Sequence, residues 1–482
     1  MAADSDQQTE IGVDRWVEQS DERRAQYEGW TAPIRRFFDR LGSRGLFLLF
    51  LVVATVYPFV VAASNVRIGI TVLLLAMAAL GLNVVVGWAG LLDLGFVAFY
   101  GFGAYFYAIV ASDQLPAHWP TWVAIPVIVV ATALLGMLLS LPSRRLSGDY
   151  LAIMTLFFAQ IFVELVRNFE RLPWVPDDLD LTGGPNGVVG VESWDLFGFE
   201  FNTFTRQYFL ALVFLALLIV GLHNLNQSRT GRAWRALRED PIAAEHMTTP
   251  LNRTKLLAFA VGAAIAGLTG TMFAAVQVGV FPNNFNLVFL ITVYAAVILG
   301  GSGSIPGVVV GAVVIAYLPE LLRDPTKAAW LFYVGIVLAV YVVVRRRVVP
   351  LIVTLVSVVV LGFVVRLITE NTWDSSTMGE SNDAFLSRFL DEWVLVLGEN
   401  QSDISGYAFV AAVSGMLLVV ELSGPWRIAA LVPTVYLWIF VWENKLAFQP
   451  SITRQMLFGA MLVVMMAVRP QGLLGTRRVE IT

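Results

Sequence analysis

Hydrophobic residues fall in long runs along most of this chain, and shorter polar intervals separate the runs. A helix needs about 20 mainly apolar residues to cross roughly 30 Å of hydrocarbon. Fourteen runs approach that length, at approximately 46–63, 68–88, 93–111, 121–141, 150–167, 207–226, 255–277, 286–302, 305–321, 328–344, 349–367, 406–422, 427–442 and 453–469. The pattern predicts an all-α, polytopic integral membrane protein with about 10–14 transmembrane helices, because some glycine-rich runs also suit re-entrant or broken segments.

The charges between these runs agree with one orientation. Lysine and arginine are enriched in cytoplasmic loops, and alternation of the runs brings the arginine clusters to one side. The clusters are Arg35, Arg36, Arg40 and Arg44, then Arg144 and Arg145, the arginines of 229–238, Arg345 to Arg347, and Arg477 and Arg478. The acidic loops 168–205 and 368–405 fall on the other side. Both chain termini are therefore expected in the cytoplasm.

The longest strongly polar interval in the apolar middle of the chain runs from Ser228 to Pro250. Within it, Trp234, Leu237 and Ala244 share one face at helical spacing. Asp240 followed by Pro241 is typical of a helix N-cap and first helical position. We therefore predict two short helices with a break at Asp240, and an apolar stripe suited to docking into a groove of a partner protein. The alternative is an ordinary solvated loop that carries arginines.

The composition narrows the class of protein. Of 482 residues, 57% are hydrophobic and only 14% are charged, too few charges to cover a soluble protein of this size. The net charge of −4 suggests no nucleic-acid partner. The chain has no cysteine, and its three histidines (His118, His223 and His246) are too scattered in sequence to suggest a metal site.

Polar and glycine-rich positions inside the apolar runs are candidates for function. Asn83 and Asp93 lie in a glycine-rich stretch, and an ionisable residue at membrane depth indicates a functional site. The alternative for Asp93 is a solvated position at the cytoplasmic interface. The stretch Gly300–Gly307 lacks the lysine of a phosphate-binding loop and favours a tight turn or helix break. No catalytic motif is present, so the residues indicate a permease-like protein, not an enzyme, whose polar hairpin is driven by another component.

Six motifs occur in one order along the chain. They are GLNVVVGWAGLLDLGFVAFYGFGAY (81–105), RLSGDYLAIMTLFFAQI (145–161), LTGGPNG (181–187), GRAWRALREDPIAAEHM (231–247), ILGGSGSIPG (298–307) and VRPQGLLG (468–475). With these motifs the chain resembles the branched-chain amino acid ABC transporter permeases of the LivM type. The resemblance covers about residues 46–324 and 455–475.

The resemblance implies an ABC importer permease in the plasma membrane of a prokaryote. Such a permease moves branched-chain amino acids, or a related small amide or amino acid, across the lipid bilayer into the cytoplasm. Its implied partners are a sister LivH-type permease, an external substrate-binding protein and two ATPase subunits. ATP would bind to those subunits, and no cofactor is expected on this chain. A stand-alone secondary transporter or channel for a small solute remains the alternative.

The resemblance also assigns residues. Short helices that contact an ATPase can transmit its closure to the spans as a rigid-body shift. The residues expected to couple to the ATPase are Gly231, Arg232, Arg235, Arg238, Glu239, Ala243, Ala244 and Glu245. Small residues and freed backbone groups can open a path for a solute. The residues expected along that path are Asn83, Gly87, Gly90, Asp93, Gly95, Gly300, Gly301 and Gly303.

The chain departs from the family pattern at several positions. Pro241 and Gln160 stand where the family commonly has glutamate, and Thr248 replaces the glycine of its coupling motif. About 130 residues with four apolar runs also separate the PELLR sequence at 319–323 from the last run. We therefore expect four regions: a cytoplasmic tail (1–45), a permease core (46–323), an inserted block of four helices with an acidic outer loop (324–454), and a last core helix with a cytoplasmic tail (455–482). An even number of inserted spans leaves the direction of the last span unchanged.

Overall fold

The computed structural model describes residues 32–112, 118–142, 148–169, 181–196, 198–323, 325–344, 348–372, 393–394, 402–448, 459 and 472–474. The helices in these ranges are α1 (Ala32–Val60), α2 (Ala63–Leu82), α3 (Phe96–Val110), α4 (Thr121–Ser140), α5 (Asp149–Asn168), α6 (Phe204–Gln227), α7 (Arg229–Glu239), α8 (Pro241–His246), α9 (Leu251–Gln277), α10 (Leu287–Gly300), α11 (Ile305–Leu321), α12 (Pro325–Val343), α13 (Val348–Thr372), α14 (Ser402–Glu421) and α15 (Pro425–Phe448). A π-helical turn, Asn83–Trp88, continues α2, and 3₁₀ turns cover Gly184–Asn186 and Pro282–Phe285.

The all-α, polytopic fold class is confirmed. Seven of the described helices are long and apolar enough to cross a membrane, and five shorter apolar helices accompany them. Thirteen of the fourteen predicted spans coincide with described helices, whereas the run 453–469 lies outside the described residues except for position 459. The predicted run 93–111 becomes a helix only from Phe96, so Asp93 lies in the loop before α3.

Small residues let the central helices approach one another closely. In α2, Ala76, Ala78 and Ala79 are fully buried. In α9, Gly267 lies so close to Gly103 of α3 that a Cβ on Gly103 would meet the Gly267 backbone. Close backbone approach through small residues is the usual way in which membrane helices gain packing contacts. The centre of the core is therefore formed by α2, α3, α4 and α9.

The buried apolar residues within the described ranges form two large clusters. The first joins α1 to α11, and the second joins α12 to α15 through residues that include Val340, Val358, Leu431 and Tyr436. A small contact connects them, in which the rings of Phe332 and Trp442 stack with centroids 4.0 Å apart near Leu322. The predicted boundary between the permease core and the inserted block, at 323/324, remains a prediction. Two separate apolar clusters are what such a boundary would produce.

The core has two ends, and different chain segments form each of them. We call "hairpin end" the end that contains residues 83–95, 229–250, 301–304 and 472–474. We call "loop end" the end that contains residues 111–112, 181–196, 198–206 and 278–286. Short strands lie at the loop end: β1 (Val188–Val189), β2 (Asp195–Leu196), β3 (Phe199–Glu200) and β4 (Gly279–Val280). β1 pairs antiparallel with β4, β2 pairs with β3, and a bridge joins Ser112 to Val191.

Candidate functional site

The polar interval 228–250 folds as the predicted pair of short helices. α7 begins after Ser228, whose hydroxyl accepts a hydrogen bond from the Gly231 N–H at 3.4 Å. The chain breaks at Asp240, whose Oδ1 accepts from the Ile242 and Ala243 N–H groups at 2.8 and 3.1 Å. This is the capping arrangement that satisfies the free N–H groups at the start of a helix. The predicted break and cap at Asp240 are confirmed.

The apolar stripe of the hairpin faces its own core. Trp234, Leu237 and Ala244 are buried, as expected for one face. The Trp234 ring stacks on the Trp88 ring with centroids 6.1 Å apart, and its Nε1 donates to the Thr254 carbonyl at 2.9 Å. The expectation that this stripe docks into a partner protein is wrong, because these side chains already pack against the π-helical turn and α9. The solvated-loop alternative is wrong for the same reason.

Arg238 continues this attachment towards the membrane core. Its Nη1 donates to the Gly87 carbonyl, and its Nη2 donates to the Ser302 hydroxyl at 3.3 Å. Gly90 lies beside it with φ +69°, and a Cβ there would be 2.8 Å from Arg238 Cγ. Glycine adopts this left-handed conformation without steric cost. Gly90 therefore gives the arginine room to reach the end of α2.

The turn between α10 and α11 receives two further contacts. The Gly303 N–H donates to Asn83 Oδ1 at 2.8 Å, and Trp88 Nε1 donates to the Gly303 carbonyl at 2.9 Å. Asn83 and Trp88 are five positions apart, and the wider π-helical turn brings both side chains to this loop. Single π turns inside α-helices occur frequently at functional sites. The arginine of the hairpin, the end of α2 and this turn thus form one junction.

A segment near the C-terminus joins the same junction. The Leu473 and Leu474 N–H groups donate to the Leu299 and Gly300 carbonyls at 2.8 and 3.0 Å. The last carbonyls of a helix lack partners within the helix, so residues 472–474 cap the end of α10. Our site prediction did not include these residues, although they belong to the VRPQGLLG motif.

The structure brings most of the predicted path residues together at this junction. Gly87, Gly90 and Gly303 lie against Arg238, Asn83 bonds to Gly303, and Gly301 packs against Gly472. Gly300 lies where α10 crosses α11, and a Cβ on it would meet the Gly307 backbone. Their role along a solute path stays a prediction.

Asp93 and Gly95 lie further from Arg238, beside α5. The Gly95 N–H donates to Asp93 Oδ1 at 2.9 Å, and the Tyr294 hydroxyl donates to the Asp93 carbonyl at 2.6 Å. Asp93 is 1% exposed. The alternative that it is a solvated residue at the cytoplasmic interface is therefore wrong, because this chain alone already buries it. In this loop, outside the spanning helices, burial raises the pKa of the Asp93 carboxyl to about 7, although the Gly95 hydrogen bond lowers it.

The predicted coupling residues divide into two groups. Gly231 and Ala244 are buried, and Arg238 points inward. The side chains on the outer surface are Arg232, Arg235, Glu239, Ala243 and Glu245. Two apolar residues that our site prediction did not include accompany them, since Ile242 is 70% and Met247 is 80% exposed. Within the described residues, no group of three or more possible metal ligands is present.

Comparisons with known proteins give a consistent result. Residues 64–344 match the model of the family described as branched-chain amino acid transport system, permease component. The high-affinity branched-chain amino acid transport system permease protein LivM of Salmonella typhimurium is 38% identical over 315 residues, which cover 60% of this chain and 71% of that protein. LivM of Escherichia coli is 37% identical over the same shares. The permease protein LivH of Salmonella typhimurium is 26% identical over 279 residues, or 55% of this chain and 89% of LivH. No solved structure matches.

Proposed function

The chain belongs to the family of branched-chain amino acid transport permeases, and we propose from this premise that it is the LivM-type subunit of an ATP-driven importer. The importer moves branched-chain amino acids, or a related small amide, into the cytoplasm of a prokaryote. The chain itself is not an enzyme in this proposal. ATP hydrolysis belongs to two separate ATPase subunits, and an external binding protein delivers the solute.

One observation carries the proposal: the hairpin is fixed to the core on one face and exposed on the other. The fixed face holds Trp234 against Trp88 and Arg238 against Gly87. The exposed face presents Ile242 and Met247. A rigid pair of helices with an apolar tip can bind a partner protein at the tip and transmit the partner's movement to the membrane spans.

The contacts define the route along which a movement of the hairpin reaches the spans. A shift of α7 moves the Arg238 guanidinium, which bonds both Gly87 at the end of α2 and Ser302 between α10 and α11. Trp88 adds a second connection, since it contacts both Trp234 and the Gly303 carbonyl. Interfaces of this kind pass from one packed arrangement to another instead of deforming gradually. ATPase closure would in this way move the ends of α2, α10 and α11 together.

The test is recovery of the ATPase with the purified transporter. The variant Ile242→Asp places a charge on the exposed tip, and we expect it to reduce ATPase recovery and leucine uptake because a carboxylate is unfavourable in an apolar contact. Phe199→Asp is the matched control, because Phe199 is also exposed but lies at the loop end. We expect this control to retain the ATPase.

Two outcomes would contradict the proposal. One is normal ATPase recovery with Ile242→Asp, which would show that the hairpin tip does not contact the ATPase. The other is solute movement by the purified chain alone in liposomes under an ion gradient, which would identify a secondary transporter or channel.

A further inference from the structure

The exposed faces of α4 and α6 are apolar in the middle of each span. Their exposed residues include Val130, Leu134, Leu138, Val213 and Leu217. An apolar face of this kind is suited to lipid, because hydrocarbon offers no partner to a polar group. These two helices show how a lipid-facing span of this protein is composed.

The exposed face of α5 is composed differently. Gln160 and Glu164 are exposed there, one helical turn apart, next to the apolar Phe157 and Ile161. Phe157 is 64% exposed, comparable to the 58% of Leu134 on α4. The amount of exposed surface is therefore similar on the two helices, and the chemistry of that surface differs.

Gln160 is too deep for its amide to reach the headgroups. It lies eleven residues after Asp149 and eight before Asn168, which places it about 16 and about 12 Å from the two ends of α5 at 1.5 Å per residue. Within the described part of the chain no hydrogen-bonding partner reaches its side chain. Glu164 lies nearer the end of α5 and pairs with Arg167 at 3.2 Å. An unpartnered amide is unfavourable in lipid, so this face differs from an ordinary lipid-facing surface.

We propose that the α5 face formed by Ile153, Phe157, Gln160, Ile161 and Glu164 is the contact surface for the sister, LivH-type permease subunit. This inference rests on the proposed function, since an importer of that kind contains a second permease. The face carries bulky side chains and no glycine, so the sister subunit meets it with side chains, including a polar group opposite Gln160.

A second copy of this chain fits the surface less well. Two identical subunits would meet around a twofold axis and bring the same patch of each together. In such a pair the Gln160 amide would find a polar partner only in the Gln160 of the other copy, with the axis passing beside it, or in Glu164, which already pairs with Arg167 at 3.2 Å. A sister chain related by only 26% identity, as LivH of Salmonella typhimurium is to this chain, can carry different groups there.

Site-specific photo-crosslinking in the complete transporter tests the surface. The photoreactive amino acid p-benzoylphenylalanine replaces Phe157, and in a matched control it replaces Leu134 on α4. We expect a crosslinked product with the tagged sister permease from position 157 and none from position 134. A product with a second copy of this chain would overturn the identity of the partner. Crosslinking only to lipid, or no product, from position 157 would overturn the proposal that this face contacts the sister permease.

A second variant keeps the test independent of the crosslinker. If a polar partner faces Gln160, Gln160→Leu should lower the recovery of the sister permease about fivefold, a loss of roughly 1 kcal/mol of association energy. Leu134→Ala is the control and should leave recovery unchanged. Unchanged or increased recovery with Gln160→Leu would show that no polar group of the sister subunit faces Gln160, and would overturn the surface. If the unmodified chain retains its ATPase while these tests fail, only the surface is refuted; if it binds no ATPase, the proposed function itself fails.

Discussion

The segments at the two ends of the core are joined by different kinds of hydrogen bonds. At the loop end the contacts are largely between backbone groups, as in the pairing of Val188 with Val280 and the hydrogen bond from the Val191 N–H to the Val278 carbonyl at 3.1 Å. At the hairpin end the side chains of Asn83, Trp88 and Arg238 bond to backbone groups of other segments. Backbone pairing tolerates changes of side chain, whereas the hairpin end depends on particular residues. Single substitutions should therefore affect the two ends unequally.

The largest difference is expected between two buried tryptophans, Trp234 at the hairpin end and Trp194 at the loop end. Both are almost fully buried, so Trp234→Ala and Trp194→Ala should each lower the free energy of unfolding by about 3–5 kcal/mol through cavity formation. Trp234→Ala should in addition reduce ATPase recovery per folded molecule, because it detaches α7 from Trp88. SDS-induced unfolding and co-purification measure the two effects. Equal ATPase recovery with both variants would refute the comparison.

Arginines give the next test, since one at each end donates to a backbone carbonyl. Arg238 donates to Gly87, and Arg206 donates to the Glu200 carbonyl at 3.0 Å. Arg238→Met should lower leucine uptake at least about tenfold, since loss of a charged hydrogen bond costs roughly 1.5–3 kcal/mol. ATPase recovery should persist, because the exposed tip is unchanged. Arg206→Met should have little effect on uptake, and a similar loss with both variants would contradict the transmission role of Arg238.

A smaller effect is expected from two asparagines that accept backbone hydrogen bonds. Asn83 Oδ1 accepts from the Gly303 N–H in the partly buried junction, whereas Asn286 Oδ1 caps α10 by accepting from the Phe289 N–H at 3.0 Å on the exposed loop end. Asn83→Ala leaves the partly buried Gly303 N–H without its partner and should destabilise by about 1–3 kcal/mol. Asn286→Ala should cost about 1 kcal/mol as an ordinary cap. The order of the two thermal unfolding temperatures checks the prediction.

Much of the hairpin end was predictable from local sequence. Asp240 with Pro241 marks a helix start in any context, and the spacing of Trp234, Leu237 and Ala244 identifies one buried face. What the pattern did not reveal is which surface covers that face. Apolar spacing states that a stripe is buried, and the burial is the same whether a partner or the chain's own core provides it. The expectation of a docking stripe was wrong for this reason.

The contacts between distant segments were not predictable by such means. Arg238 and Gly87 are 151 positions apart, and Asn83 and Gly303 are 220 apart. No local periodicity carries that information. The same holds for the loop end, where two-residue strands such as Val188–Val189 are too short to show alternation. The glycine-rich motifs indicated where backbones approach, and only the structure shows which backbone each one meets.

The smallest expected effect concerns strain, and here the two ends should behave alike. Thr248 at the hairpin end has φ +62°, and Val278 at the loop end has φ +58°. Both are β-branched residues in the left-handed region, where a residue with a Cβ pays about 1–2 kcal/mol that glycine avoids. Glycine offsets part of this gain by its greater freedom in the unfolded chain.

Thr248→Gly and Val278→Gly should therefore each raise stability by about 1 kcal/mol or less, and neither should change leucine uptake. Thr249→Gly serves as a neighbouring control, because its backbone has no positive φ to relieve. If Thr248→Gly stabilised the protein but lowered uptake, the strain at the hairpin would itself be part of coupling. The difference between the two ends would then include stored backbone strain as well as side-chain bonds.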